Sequence, residues 1–153
     1  MKWIVILALA ACGTAASTST RRDTLDSIPN AAAAALRRAA GDAKIEHVER
    51  ERENGVEVYE ASWHVDGLER EAAVTASGEL VELEEEVPSA QVPSAVRAAA
   101  ITKLPNASSI KFVKLMTGNY EAEAIVDGHE QDVTLAPDGR TLDDDDDDDD
   151  DDD

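Results

Sequence analysis

Two blocks of the chain place apolar residues at every second position, the pattern of a strand with one face buried. In the first, Tyr59, Ala61, Trp63 and Val65 share one parity; in the second, Tyr120, Ala122 and Val126 do. A helical run precedes each block. Asn30-Ala-Ala-Ala-Ala-Ala-Leu-Arg-Arg-Ala-Ala40 consists of strong helix formers and stops at Gly41. Its counterpart, Ser94 to Lys103, stops before Leu104-Pro105. Pro29 and Pro93 suit the first helical turn, where a missing N–H costs nothing. An Ala-rich helix of this length is marginal alone in water, so packing must hold it.

Glycine dipeptides punctuate the strands. Asn54-Gly55, Asp66-Gly67 and Ser77-Gly78 are spaced as three successive hairpin turns, and Thr117-Gly118, Asp127-Gly128 and Asp138-Gly139 repeat the series. A two-residue turn at Asp66-Gly67 sets Val65 opposite Leu68, Ala61 opposite Ala72 and Tyr59 opposite Val74. The same arithmetic at Asp127-Gly128 pairs Ala122 with Val133 and Tyr120 with Leu135. Continued through Ser77-Gly78, it pairs Val74 with Val81 and Ala72 with Leu83. The apolar residues then share one face. The first strand of each half is less regular. Ile45 and Val48 differ in parity, as do Ile110 and Val113, so a bulge or a late strand start is needed.

The blocks are copies of one unit. Tyr59-Glu60-Ala61, Val65-Asp66-Gly67, Glu69 and Gly78 recur 61 residues later as Tyr120-Glu121-Ala122, Val126-Asp127-Gly128, Glu130 and Gly139. Eight of the 23 positions from Tyr59 to Val81 are identical, without a gap. Two copies are too few for a solenoid, so they read as halves sharing a core. The fold class is α+β: a helix plus four short antiparallel strands, twice, with both helices on one face of the sheet.

These residues resemble the PepSY-like group of small exported bacterial proteins and lipoproteins, relatives by fold of the β-lactamase inhibitory protein. The resemblance rests on the two prolines and the doubled Tyr-Glu-Ala and Val-Asp-Gly motifs, and it covers residues 27–142. It implies helices packed on an antiparallel sheet and a non-catalytic envelope domain that binds a protein, such as a peptidase or other hydrolase. It brings no catalytic residues and no cofactor.

The termini read differently. Residues 1–11 have one positive residue followed by an apolar run too short for a membrane-spanning helix, which is the form of an export signal. Leu9-Ala10-Ala11-Cys12 resembles a lipoprotein cleavage site, and Cys12 is the single cysteine of the chain. The expected mature protein starts at an acylated Cys12 in the lipid bilayer and faces the periplasm or the cell exterior. A secretory leader cut after Ala16 is the alternative. Residues 12–25 form a polar tether, 26–87 and 88–142 the two repeats, and 143–153 a disordered run of eleven aspartates.

Charge narrows the function. The net charge is -20, and without the aspartate run and the leader the chain still holds 13 basic against 23 acidic residues. Such a field excludes nucleic acid as a partner. One cysteine excludes a disulfide scaffold and a cysteine-ligated metal. Strand parity places Glu60, His64, Glu69 and Glu71 on the sheet face opposite the helices. Glu121, Glu123, Glu130 and Asp132 join them from the second half, with Ile125 and Phe112 set among them. This acidic face is the candidate partner-binding surface; as an ordinary solvated face it would need no partner. His47, His64 and His129 lack metal-ligand spacing. Asp143, Asp144, Asp145, Asp146, Asp147 and Asp148 could hold Ca²⁺ only loosely, as they lack the glycine and spaced ligands of an EF-hand. A cation-binding or surface-charge role for this tail is the rival to protein binding.

Overall fold

The structure, a computed structural model, describes residues 21–53 and 56–142. Cys12, the leader, the Asn54-Gly55 turn and the aspartate run lie outside the described residues. The chain order is β1 (Arg21–Arg22), α1 (Asn30–Ala40), β2 (Ile45–Glu53), β3 (Val56–Val65), β4 (Leu68–Thr75) and β5 (Leu80–Glu86). A 3-10 turn at Ser89–Gln91 leads to α2 (Ser94–Lys103), β6 (Lys111–Leu115), β7 (Tyr120–Val126) and β8 (His129–Leu135). All strands form one antiparallel sheet in sequence order. The α+β architecture expected from the pattern is therefore present. The fourth strand of the second half is reduced, among the described residues, to a bridge between Leu135 and Thr141.

Both helices run over the expected residues, with each proline one position earlier than anticipated. Pro29 and Pro93 sit at the cap with extended ψ, and their carbonyls accept from Ala33 and Arg97. Each proline thus fixes the entry to the helix and accepts its first bond. Ala32, Ala33, Ala35 and Leu36 of α1 are buried, and so are Val96 and Ala100 of α2.

The register agrees with the parity arithmetic around the two Asp-Gly turns. Tyr59 pairs with Val74, Ala61 with Ala72 and Val65 with Leu68; Tyr120 pairs with Leu135 and Ala122 with Val133. Asp66 and Gly67, like Asp127 and Gly128, all have positive φ, as the tight two-residue turn demands. The turns at Gly78, Gly118 and Gly139 are built differently. Gly78 donates to the Thr75 carbonyl and Thr75 to that of Glu79, a four-residue turn closed by a glycine bulge. Leu115 to Asn119 and Ala136 to Arg140 repeat this arrangement. Val74 consequently pairs with Leu80, not Val81, while Ala72 still meets Leu83.

The two first strands resolve their parity conflict in different ways. In β2 a bulge lies between Ile45 and His47. In the second half the strand starts late, at Lys111, so Ile110 precedes it. Phe112 rather than Val113 then occupies the position of Val48, because Phe112 pairs with Ala122 as Val48 does with Ala61. The polar tether expected to run to residue 25 also ends earlier. Arg21–Arg22 pairs with β2, Asp23 forms an ion pair with Arg50 at 3.0 Å, and Leu25 packs on the apolar residues beneath α1.

The apolar interior is two clusters rather than the single shared core expected. Tyr59, Ala61, Trp63, Ala72 and Val74 lie under α1. Phe112, Ala122, Ala124, Val126, Val133 and Leu135 lie under α2. Between them the helix-side surface carries Arg70, Glu85 and Lys114 in one cross-strand row. The halves join through the β5–β6 pairing, whose partners are Glu84 with Leu115, Glu85 with Lys114 and Glu86 with Val113.

Candidate acidic docking face

Pairing places the carboxylates in rows on the face away from the helices. One row runs Glu49, Glu60, Ala73 and Glu82 across β2 to β5. The next runs His47, Ser62, Glu71, Glu84 and Leu115. Glu86, Val113, Glu121 and Thr134 continue the face into the second half, and Lys111, Glu123 and Asp132 form a further row there. All eight predicted face residues are therefore on one surface, at different depths. Glu71 and Glu121 are buried, Glu60, Glu69 and Glu123 half-buried, and His64, Glu130 and Asp132 exposed.

Ile125 stands on this face, exposed, as its parity requires. Phe112 does not. It points into the cluster under α2, and Val113, its neighbour, takes the place on the acidic side. Val113 is buried there, as are Val58 and Ala73, so the face has an apolar floor beneath carboxylates. The acids that alternation had not placed there are Glu49 of β2 and Glu82, Glu84 and Glu86 of β5. The signal was present: setting Ala72 opposite Leu83 on the helix side forces its neighbours in β5 to the other side.

Arg22 is set opposite Glu49 on this face, and three other bases there are engaged with particular carboxylates. Lys111 Nζ lies 2.9 Å from Glu69 Oε2 and 3.6 Å from Glu123 Oε2, so one ammonium links a strand of each half. His47 lies 2.8 Å from Glu49, and His64 lies 3.2 Å from Glu46. The backbone N–H of Glu69 donates to Glu86 Oε2 at 3.0 Å.

Glu60 and Glu82 flank Ala73 in one row, and Glu71 meets Glu84 in the next. Burial, followed by repulsion from Glu71 and Glu51, pushes the Glu60 carboxyl up to about 8. Burial, followed by repulsion from Glu84 and Glu60, pushes that of Glu82 to about 8. Two shallow hollows lie among these side chains. Glu60, Glu71, Ala73, Glu82 and Glu84 line one; Glu69, Glu71, Glu84, Glu86, Lys111 and Val113 line the other. Neither has room for more than a water-sized guest. Among the described residues, no three His, Cys, Asp or Glu side chains are grouped to hold a metal ion.

Comparison with solved structures is informative about the fold. A BLIP-like protein from Bacteroides fragilis superposes with a TM-score of 0.52 at 20% identity, covering 75% of this chain and 83% of that one. A DUF2874 family protein from Bacteroides uniformis gives 0.55 at 16% identity, covering 74% and 86%. A protein from Bacteroides eggerthii whose given name proposes a periplasmic location gives 0.56 at 15% identity, covering 75% and 86%. The chain has this BLIP-like fold. No family model matches it, and neither does any curated protein.

Proposed function

We infer that the chain is a non-enzymatic, PepSY-like domain of the bacterial cell envelope that docks a protein partner on its acidic face. Acylated Cys12 would hold it to the membrane, facing the periplasm or the cell exterior. The observation that carries this reading is the face itself. It is broad and predominantly acidic, spans both halves, and offers an apolar floor with hollows too small for a substrate. A surface of that kind suits a partner with a complementary basic patch, recognised through charge and shape. The BLIP-like fold supports the reading, and a peptidase or other hydrolase is the partner class that the family resemblance favours.

The test is a crosslinked pull-down from envelope extract with full-length protein, protein ending at Leu142, and a charge-reversed Glu121→Lys, Glu123→Lys variant. Retention of a partner by the first two and its loss from the third is the expected result. A partner captured equally by the reversed variant would sink the acidic-face assignment. Ca²⁺ binding that disappears with the aspartate run, with no protein captured by any form, would favour the tail as the functional element instead. Membrane partitioning of the wild type and its loss in Cys12→Ser tests the anchor.

A further inference from the structure

Six large apolar side chains are exposed among the described residues, and four of them gather at one end of the sheet. Successive antiparallel strands bring every second strand end to the same side, so the start of β3, the start of β5 and the end of β6 lie together. Val56 opens β3 there, Leu80 and Val81 open β5, and Met116 follows β6. β5 pairs with β6, which sets the last three on adjacent strands. Apolar residues exposed singly need no explanation, whereas four on one rim do. The exposed charges beside them are balanced among the described residues, Arg52 and Arg140 against Glu79 and Asp138, unlike those of the acidic face.

The chain also enters the sheet from this end. β2 runs toward the rim, and Arg21–Arg22 is antiparallel to it, so the chain passes Arg21 travelling away from the rim. Eight residues separate Arg21 from Cys12. A stretch of that length bridges at most about 30 Å in any conformation. At the other terminus Thr141 and Leu142 lie antiparallel to β8 and lead away from the rim, ahead of the eleven aspartates. Both helices begin at this end, since the Gly78 turn packs on Ala31 and the Gly139 turn on Ala95. The positive ends of two helix dipoles therefore point to the rim, a field that favours anionic headgroups.

We propose that this rim is a second contact with the bilayer, an inference that rests on the acylated Cys12 of the reading above. Val56, Leu80, Val81 and Met116 seat at the boundary between headgroups and acyl chains, and the strands stand upright on it. The depth is limited, because the N–H and C=O groups of the turns must keep water or headgroups as partners. A lipid on one residue fixes where the chain is tied but not how the domain is turned. Apolar side chains gathered at one end supply the orientation and add to the anchor. With the strands upright, the acidic face points sideways, open to a protein partner and not pressed against anionic lipid. Ile125 then stands five residues along β7 from the rim, about 17 Å above it.

The experiment uses the full acylated chain in vesicles of phosphatidylethanolamine and phosphatidylglycerol whose acyl chains carry nitroxide quenchers. A bimane fluorophore is attached at Met116→Cys or Val81→Cys, and for comparison at Ile125→Cys or Ile101→Cys. The lipid occupies the Cys12 thiol, so each variant offers one site for the label. Ile125 and Ile101 are 57% and 66% exposed against 55% and 37% for Met116 and Val81, so a mere affinity of the label for lipid would favour the comparison sites. Quenching several-fold stronger at 116 and 81 than at 125 and 101 is the expected result. Adding Val81→Asp should remove most of the quenching at 116 while the urea midpoint holds, since the position is exposed. Equal quenching at all four positions, or none, in a chain that floats with the vesicles overturns the rim contact and leaves the anchor standing. An unmodified N-terminus by mass spectrometry, in a chain that stays off the vesicles, overturns both. A label at 116 that is silent to lipid but shielded in a dimer seen by light scattering gives the rim to a second copy and overturns the proposal as well.

Discussion

Gly78 is pressed against Ala31: a β-carbon on the glycine would lie 2.7 Å from the alanine's carbonyl oxygen. Gly139 stands in the same relation to Ala95, again at 2.7 Å. The turn after β4 and the turn after β8 thus seat the first turn of α1 and of α2. Both glycines also have positive φ, at 83° and 87°. Gly78→Ala and Gly139→Ala should therefore each cost about 1–3 kcal/mol, combining left-handed strain with a backbone clash. Urea denaturation measures this, and a loss near zero at either position would show that the helix end moves freely.

Lys111 holds carboxylates of both halves. Lys111→Met should destabilise by about 1–2 kcal/mol, since Glu69 and Glu123 are left facing each other partly desolvated. Adding Glu69→Gln should recover part of the loss. A double-mutant cycle between positions 69 and 111 with no coupling would count against the link.

Stability should decline as pH rises above the ordinary glutamate range. Glu60 and Glu82 are raised in the folded chain to about 8, from 4.5. Their contribution is complete below about 4.5 and disappears as pH climbs through about 8, because the unfolded chain releases those protons first. Each group supplies a slope of at most about 1.4 kcal/mol per pH unit. Calorimetric melts between about pH 5 and about pH 9 should show the falling limb; a flat or rising profile contradicts it.

Phe112 and Ile125 lie on opposite faces, which sets their mutational costs apart. Phe112→Ala should lose about 3–5 kcal/mol, as a buried aromatic does. Ile125→Ala, 57% exposed, should stay within about 0.5 kcal/mol in the isolated protein. Equal costs would mean that the second half is packed differently.

Much of the sheet was legible from parity. The pairs around Asp66-Gly67 and Asp127-Gly128 followed because a two-residue turn leaves the register no freedom, and the alternation of Tyr59, Ala61 and Trp63 marks their side. The four-residue turns were not distinguishable by their glycines alone. A glycine with positive φ serves both turn types, and only the bonds from Gly78 to Thr75 and from Thr75 to Glu79 separate them. Hence the partner of Val74 came out one residue too far. Phe112 was misplaced for a related reason. Aligning Val113 with Val48 by chemical similarity ignored the late start of β6, and a one-residue slip exchanges the faces of a strand.

The acidic face was legible as a surface but not in its depth. Glu60, Glu69, Glu71, Glu121 and Glu123 followed from alternation. That Glu71 and Glu121 are buried while Glu130 is open depends on how neighbouring side chains cover each row, which a linear pattern does not record. Glu82 and Glu84 were hidden in an acidic run that resembles a strand end.

Between the two apolar clusters lie the β5–β6 pairing and a charged row, and this shapes how the molecule tolerates sequence drift. A void opened by Leu36→Ala under α1 shares no packing neighbour with one opened by Val96→Ala under α2. Their costs should add to within about 0.5 kcal/mol, as for independent sites. Each repeat can then accumulate and repair its own substitutions without imposing repacking on its twin. That separation fits a pair whose Asp-Gly turns and whose Gly78 and Gly139 still match 61 residues apart while their helices have diverged.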